Sequence, residues 1–144
     1  MEDILIKSGK EHMDVRAIHQ FLTEESYWAK GISFEFVSGS LDHSFCVGAF
    51  IDGKQVGFGR VITDYHTFGY FADFYVLAEY RGKGIAKRIL SFIMNQSWSK
   101  TLRRQMLSTR DGHGLYRQVG FKDLTHPDYI MEVYRPNVYA EHRD

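Results

Sequence analysis

Residues 69–90, GYFADFYVLAEYRGKGIAKRIL, impose an abrupt change from one kind of secondary structure to another. Phe71 to Leu77 is an apolar, aromatic-rich run that suits a pleated sheet. From about Gly84 to Met94 the period is helical: Ile85, Ile89 and Ile93 form one stripe, joined by Ala86 and Leu90. Lys83, Lys87, Arg88 and Ser91 lie on the other side. At the junction stands Arg81-Gly82-Lys83-Gly84-Ile85-Ala86, where glycines let backbone N–H groups approach a ligand without an intervening β-carbon. A helix start leaves four N–H groups unpaired and carries roughly half a positive charge. The junction therefore reads as a cradle for phosphate. It is not the nucleoside-triphosphate loop, because no Gly-Lys-Ser/Thr closes it. Nor does it have the Gly-x-Gly-x-x-Gly spacing of dinucleotide sites.

Elements on either side can be placed by period and turn chemistry. DILIK, residues 3–7, reads as a first strand. Val15, Ile18, Phe21 and Leu22 predict a helix with Asp14 as N-cap. A second short helix or a loop is expected around Tyr27 and Trp28, before Gly31. Asp52-Gly53 between two β-like runs predicts a hairpin. On its return strand Phe58, Arg60 and Ile62 face one way, Gly59, Val61 and Thr63 the other. Residues 64–69 form a further turn into the strand at 70–77. RQMLST, 104–109, predicts a buried strand; Leu115, Val119 and Phe121 predict a short helix and its exit, stopped at Gly120. Ile130 to Tyr134 predicts a last strand. Nothing resembling a linker or repeat interrupts residues 1–144, so one α/β domain with a mixed sheet is expected.

Charge narrows the ligand class. Net charge is zero, yet residues 1–42 hold eight acids against four bases and residues 81–122 hold ten bases against Asp111 alone. A neutral whole with a basic segment argues for a local anionic ligand and against nucleic acid as partner. No apolar run is long enough to span a membrane, and one cysteine, Cys46, cannot form an internal disulfide, so a cytoplasmic location is expected. Cys46 falls in an apolar strand pattern and reads as a buried small hydrophobe. The seven histidines show no metal-ligand spacing, so no metal is expected.

The pattern Arg-x-x-Gly-x-Ala, at Arg81, Gly84 and Ala86, resembles the acetyl-CoA pyrophosphate loop of the GNAT superfamily of N-acetyltransferases. Leu115-Tyr116-Arg117-Gln118-Val119-Gly120-Phe121 is similar to a second family pattern, Leu/Phe-Tyr-x-x-x-Gly-Phe. The resemblance covers roughly residues 44–134 and extends to a subgroup of small bacterial acetyltransferases. It implies a mostly antiparallel central sheet flanked by helices, with a V-shaped splay between the fourth and fifth strands. It also implies acetyl-CoA as acetyl donor, held by the backbone of Phe74, Tyr75 and Val76 and by Arg81, Gly82, Lys83, Gly84, Ile85 and Ala86. One N–H near Val76 would polarise the thioester carbonyl. Tyr116 would protonate the leaving thiolate, a phenol of pKa about 10 and a thiol of about 8.5 being close enough to exchange a proton. A core tyrosine with no catalytic part is the alternative. Many relatives carry Asn seven positions before that tyrosine; here Thr109 stands in its place, offering part of the hydrogen bonding.

The acceptor is less legible. Asp73 could act through water as base, bind a cationic acceptor, or pair with Arg60 across the hairpin. Polyamine-type relatives have Glu-Asp where this chain has Ala72-Asp73. By analogy Glu25, Tyr27 and Trp28 could hold a cationic amine, and His113 is a second candidate base. The expected activity is direct acetyl transfer to a primary amine of a small molecule. A coenzyme-binding sensor or scaffold without turnover is the alternative, and a protein N-terminus or lysine the less favoured acceptor. The resemblance also allows a homodimer, since dimers are common in the family.

Overall fold

A sheet in strand order β1-β2-β3-β4-β5 organises the computed structural model, which describes residues 3–141; Met1, Glu2 and residues 142–144, His142 among them, lie outside that description. The strands are β1 (Leu5–Ser8), β2 (Ser44–Ile51), β3 (Lys54–Thr63), β4 (Phe68–Val76) and β5 (Arg104–Leu107). The first four pair antiparallel and β5 joins β4 in parallel. Helices α1 (Val15–Glu24) and α2 (Phe34–Asp42) cover one face, and α3 (Ile85–Met94) with α4 (His113–Arg117) the other. A last turn, α5 (Val138–Glu141), follows an extended arm.

Local chemistry accounts for most of these elements. The Asp14 carboxylate accepts from the Ala17 N–H at 3.1 Å and opens α1 as expected. Asp52 (φ 50°) and Gly53 (φ 80°) both take the left-handed conformation that a two-residue hairpin needs. Ile85, Ile89, Leu90 and Ile93 are buried beneath α3 against Val47, Val61 and Phe71. Phe58 and Val61 enter opposite cores, so the alternation along β3 holds. Cys46 is buried, and desolvation raises its thiol to about 11, which makes it inert packing.

Of the two alternatives at Tyr27 and Trp28, the loop is what forms; the second helix is α2, which lies after Gly31 and is started by Ser33, whose hydroxyl accepts from the Phe36 N–H at 3.1 Å. Ser38, Gly39 and Ser40 inside α2 are poor helix formers, and burial of Val37 and Leu41 overrides them. One expectation needs correction: residues 130–134 form no strand; they are exposed and join no ladder among the described residues. Strand-favouring composition is present, but among the described residues no strand pairs with it.

The feature that positions the site is a bulge in the β3–β4 ladder. Phe58 pairs with Tyr75 and Arg60 with Ala72, so Gly59 alone opposes both Asp73 and Phe74. Asp73 takes φ 61° to accommodate the extra residue. A β-carbon on Gly59 would lie 2.4 Å from the Phe74 ring, so glycine is what allows that ring to lie across β3. Gly59→Ala is expected to destabilise the protein by about 1–3 kcal/mol in urea unfolding, and Phe74→Leu in the same chain should recover part of the loss.

Candidate active site

β4 and β5 stay together only from Phe68 opposite Arg104 to Phe71 opposite Leu107. Beyond that register β4 runs on to Val76 while β5 has ended, so residues 72–76 lack a neighbour on that side. This is the splay expected between the fourth and fifth strands. The Tyr75 side chain points into the α1 core, stacked on Phe21 with ring centres 3.8 Å apart. Only its backbone is thus available to a ligand in the splay. Phe74 points to the other face, where its ring meets Phe71 and, edge to face, Tyr116 at 6.2 Å.

At the end of β4 the chain enters the glycine-rich loop through one helical turn, Ala78–Tyr80. The Arg81 Nε donates back to the Val76 carbonyl at 3.0 Å, tying the loop to the strand. Gly82 and Gly84 take φ of 82° and 78°, and no atom lies within 4 Å of where a β-carbon of either would stand. Arg88 donates to the Gly84 carbonyl as the first bond of α3. Among the described residues, the N–H groups of Gly82, Gly84, Ile85, Ala86 and Lys87 donate to no other group. No acidic side chain stands in the first turn of α3. Five undirected donors, open space and local positive charge fit a diphosphate. Ile85 is buried, so only its N–H can take part; Lys83 lies over the Tyr80 ring at 5.9 Å.

Tyr116 sits on α4 across the splay from β4. Burial, with the neighbouring Tyr27 phenol adding to it, pushes its pKa up to about 12. Its hydroxyl makes no hydrogen bond among the described residues. Thr109 lies one loop earlier and accepts from the Gly112 N–H at 2.9 Å, so its hydroxyl is partly engaged in shaping the turn before α4. Thr109, His113 and Tyr116 line one groove beside β5.

Asp73 does pair with Arg60: Nε donates at 2.7 Å to one carboxylate oxygen, and Trp28 Nε1 donates at 2.7 Å to the other. Both partners of the ion pair are largely covered. The loop between α1 and α2 thereby reaches β4 through Trp28. It also reaches the far side of the splay through Tyr27, whose hydroxyl accepts from the Arg110 N–H at 3.2 Å. The Arg110 guanidinium lies over the Tyr27 ring at 3.7 Å. The cation against Tyr27 is therefore the chain's own. Arg110 escaped the sequence reading because its partner lies 83 positions away. Glu25 ends α1 and is exposed.

The geometry agrees with the comparisons. Residues 42–123 match the family described as "Acetyltransferase (GNAT) domain". A protein of Gibberella zeae, assigned by inference to the acetyltransferases, is 31% identical over 91% of this chain and 86% of its own length. A solved structure from Xanthomonas campestris pv. campestris, assigned by inference to the GNAT family, is 40% identical. It covers 97% of this chain and 99% of its own with a TM-score of 0.94. An aminoglycoside N-acetyltransferase solved with CoA shares the fold at 17% identity and a TM-score of 0.68, over 94% of this chain and 95% of its own. This chain belongs to the GNAT family of acetyltransferases. The family uses acetyl-CoA as its acetyl donor.

Alkaline titration reads the burial of Tyr116 directly. Below about pH 10 the phenol is protonated in both folded and unfolded chains, and its full contribution to stability is present. As pH rises from 10.0 toward about 12, the unfolded phenol ionises and the folded one does not, so stability falls. Tyr75, raised by burial as well, acts in the same direction. Tyr116→Phe is expected to shrink the drop in urea midpoint between about pH 9 and about pH 11.

Proposed function

We propose that this protein is an acetyl-CoA-dependent N-acetyltransferase that acts on the primary amine of a small molecule by direct transfer. The observation that carries the reading is the continuity between the unpaired edge of β4, residues 72–76, and the donor-rich start of α3. When bound, acetyl-CoA supplies an activated thioester. Arg81, Gly82, Lys83, Gly84, Ile85 and Ala86 would hold its diphosphate, and the Phe74–Val76 backbone its pantetheine arm. An edge N–H near Val76 would polarise the acetyl carbonyl. Thr109 would add a side-chain contact from the far wall.

Tyr116 serves as general acid. The acceptor nitrogen bonds to the acetyl carbon, the carbon–sulfur bond breaks, and Tyr116 gives its proton to the sulfur. Burial keeps the phenol protonated, and the same dry surroundings raise the proton affinity of a thiolate beside it, so the two remain matched. Asp73 takes the amine's proton through water or holds the acceptor ammonium. Arg60 and Trp28 each bond one of its oxygens, which fixes its orientation and leaves further lone pairs on each.

A small acceptor is favoured by the roof over the splay. Trp28 bonds to β4 and Tyr27 to the loop before α4, so the α1–α2 connection bridges the cleft where an extended peptide would need an open channel.

Free-thiol release from acetyl-CoA across a panel of amines tests the activity; coenzyme binding with no turnover on any amine would favour a sensor. Tyr116→Phe should lower kcat about 100-fold while coenzyme binding persists. An unchanged kcat would leave Tyr116 as packing. Acetyl-CoA at a hundredfold excess over Kd should raise the wild-type Tm by roughly 5–10 °C. Gly84→Glu should abolish that shift, because it sets a carboxylate and a strained φ at the phosphate cradle, and a retained shift would mean that the coenzyme binds elsewhere.

A further inference from the structure

Three arginines around the cleft have polar partners of their own. Arg60 pairs with Asp73, Arg117 with Asp123, and Arg81 bonds the Val76 carbonyl. Arg110 is held as firmly, but by a ring. Its backbone N–H donates to the Tyr27 hydroxyl at 3.2 Å, and its guanidinium lies over the Tyr27 ring at 3.7 Å. Two further bonds shape the loop that carries it: the Tyr70 hydroxyl donates to Ser108 at 3.2 Å, and the Gly112 N–H to Thr109 at 2.9 Å. Yet among the described residues its guanidinium has neither an ion pair nor a hydrogen bond. The side chain is exposed, so a ligand can reach it. Contact with a ring face leaves the edge of a guanidinium, where its N–H donors point, open to another partner. Holding the group in place also lowers the ordering cost of binding there.

Its position is beside the proposed chemistry. Tyr27 packs edge to face on Trp28 with ring centres 5.0 Å apart, and Trp28 bonds Asp73 at 2.7 Å. The same Tyr27 phenol is near enough to Tyr116 to add to the rise in its pKa. Two adjacent rings thus carry a carboxylate at one end and an unpaired guanidinium at the other. A second positive charge on Tyr27 would be repelled by the guanidinium already there.

We propose that the acceptor is a primary amine that also bears an oxyanionic group, which Arg110 binds through the edge of its guanidinium while Asp73 faces the amine. This rests on the transferase reading above and narrows its substrate. The guanidinium fork matches two oxygens of a carboxylate or of a phosphate. A diamine brings Arg110 only repulsion, and a simple alkylamine leaves it unpaired. An acceptor with opposite charges at its two ends satisfies both ends of the site at once, and Trp28 and Tyr27 between them set its length.

Thiol release from acetyl-CoA should be compared across ω-amino carboxylates, aminoalkyl phosphates, alkylamines and diamines of matched, graded chain length. The oxyanionic amines should exceed the other two sets in kcat/KM by roughly 10–100-fold, and the carboxylate and phosphate arms distinguish which oxyanion fits. Arg110→Met keeps an apolar stem on the Tyr27 ring. It should lose most of that preference, because KM rises far more for the oxyanionic amines than for the alkylamines. An arginine with only a structural part would lower every set alike. Arg110→Glu should move the preference to the diamines. Calorimetric titration of each oxyanionic amine into the CoA-bound protein reads the site without turnover, and Arg110→Met should abolish the heat. Such binding with no thiol release from any amine would sink the transferase reading and keep the anion site. Equal kcat/KM across the sets, a preference that survives Arg110→Met, or no binding by the wild type would overturn the proposal; the first two would leave the transferase standing.

Discussion

Asp73 and its two partners fix the one irregularity on which the site depends. A regular β4 would carry its ladder with β3 straight through, without the extra residue at Asp73 and Phe74 that turns Phe74 toward α4 just where β5 has ended. Gly59 opposing two residues breaks that ladder and increases local twist, and Asp73 absorbs the change at φ 61°. A non-glycine residue held there costs roughly 1–3 kcal/mol, so surrounding contacts must hold it. Arg60 from β3 and Trp28 from the α1–α2 loop do so, one on each carboxylate oxygen. The ion pair is largely covered, and its value lies in geometry more than in net stabilisation, since removing charges from water offsets much of their attraction. Phe74, turned by the bulge toward α4, gives Tyr116 an aromatic face to pack on.

The electrostatics follow the same division of labour. Formal charge around α3 and α4 is strongly positive, but the contacts that would read a diphosphate are backbone N–H groups. Side-chain cations near the surface are screened over roughly 10 Å at ordinary salt, so they raise the local concentration of anions more than they fix one in place. The left-handed glycines determine where the donors point. Arg81 adds a constraint of its own: by bonding the Val76 carbonyl it holds the loop at the end of the strand.

Much of this was readable in the sequence because it is local. Asp52-Gly53, the Asp14 cap, the isoleucine stripe of α3 and the Gly82-Lys83-Gly84 junction each declare themselves within a few residues. What escaped is either overridden or non-local. In α2, Ser38, Gly39 and Ser40 mask a helix that exists because Val37 and Leu41 are buried. The bonds from Trp28 to Asp73 and from Arg110 to Tyr27 join segments 45 and 83 positions apart, with no local pattern to announce them. The strand expected at 130–134 fails for another reason. Its composition is right, but a strand is a property of two segments, and composition specifies only one.

That last failure bears on how the fold divides its work. The antiparallel ladders of β1 to β4, with α3 on one side and α1 and α2 on the other, contain the dry core. The part after Arg104 carries Thr109, Arg110 and Tyr116 of the candidate site yet buries none of its described side chains completely. A wall built on so thin a core is held by four β4–β5 pairings, the packing of α4 against Phe71 and Phe74, and the Tyr27–Arg110 contact. Such a wall is mobile unless something else braces it, because opening a few half-buried contacts costs far less than unfolding the core. The general-acid role proposed for Tyr116 would require the phenol to stay within hydrogen-bond reach of the sulfur, a tolerance of a few tenths of an ångström. A rigid brace along the outer edge of β5 would supply that tolerance, which gives the position of Tyr116 a physical reason to depend on what covers that edge.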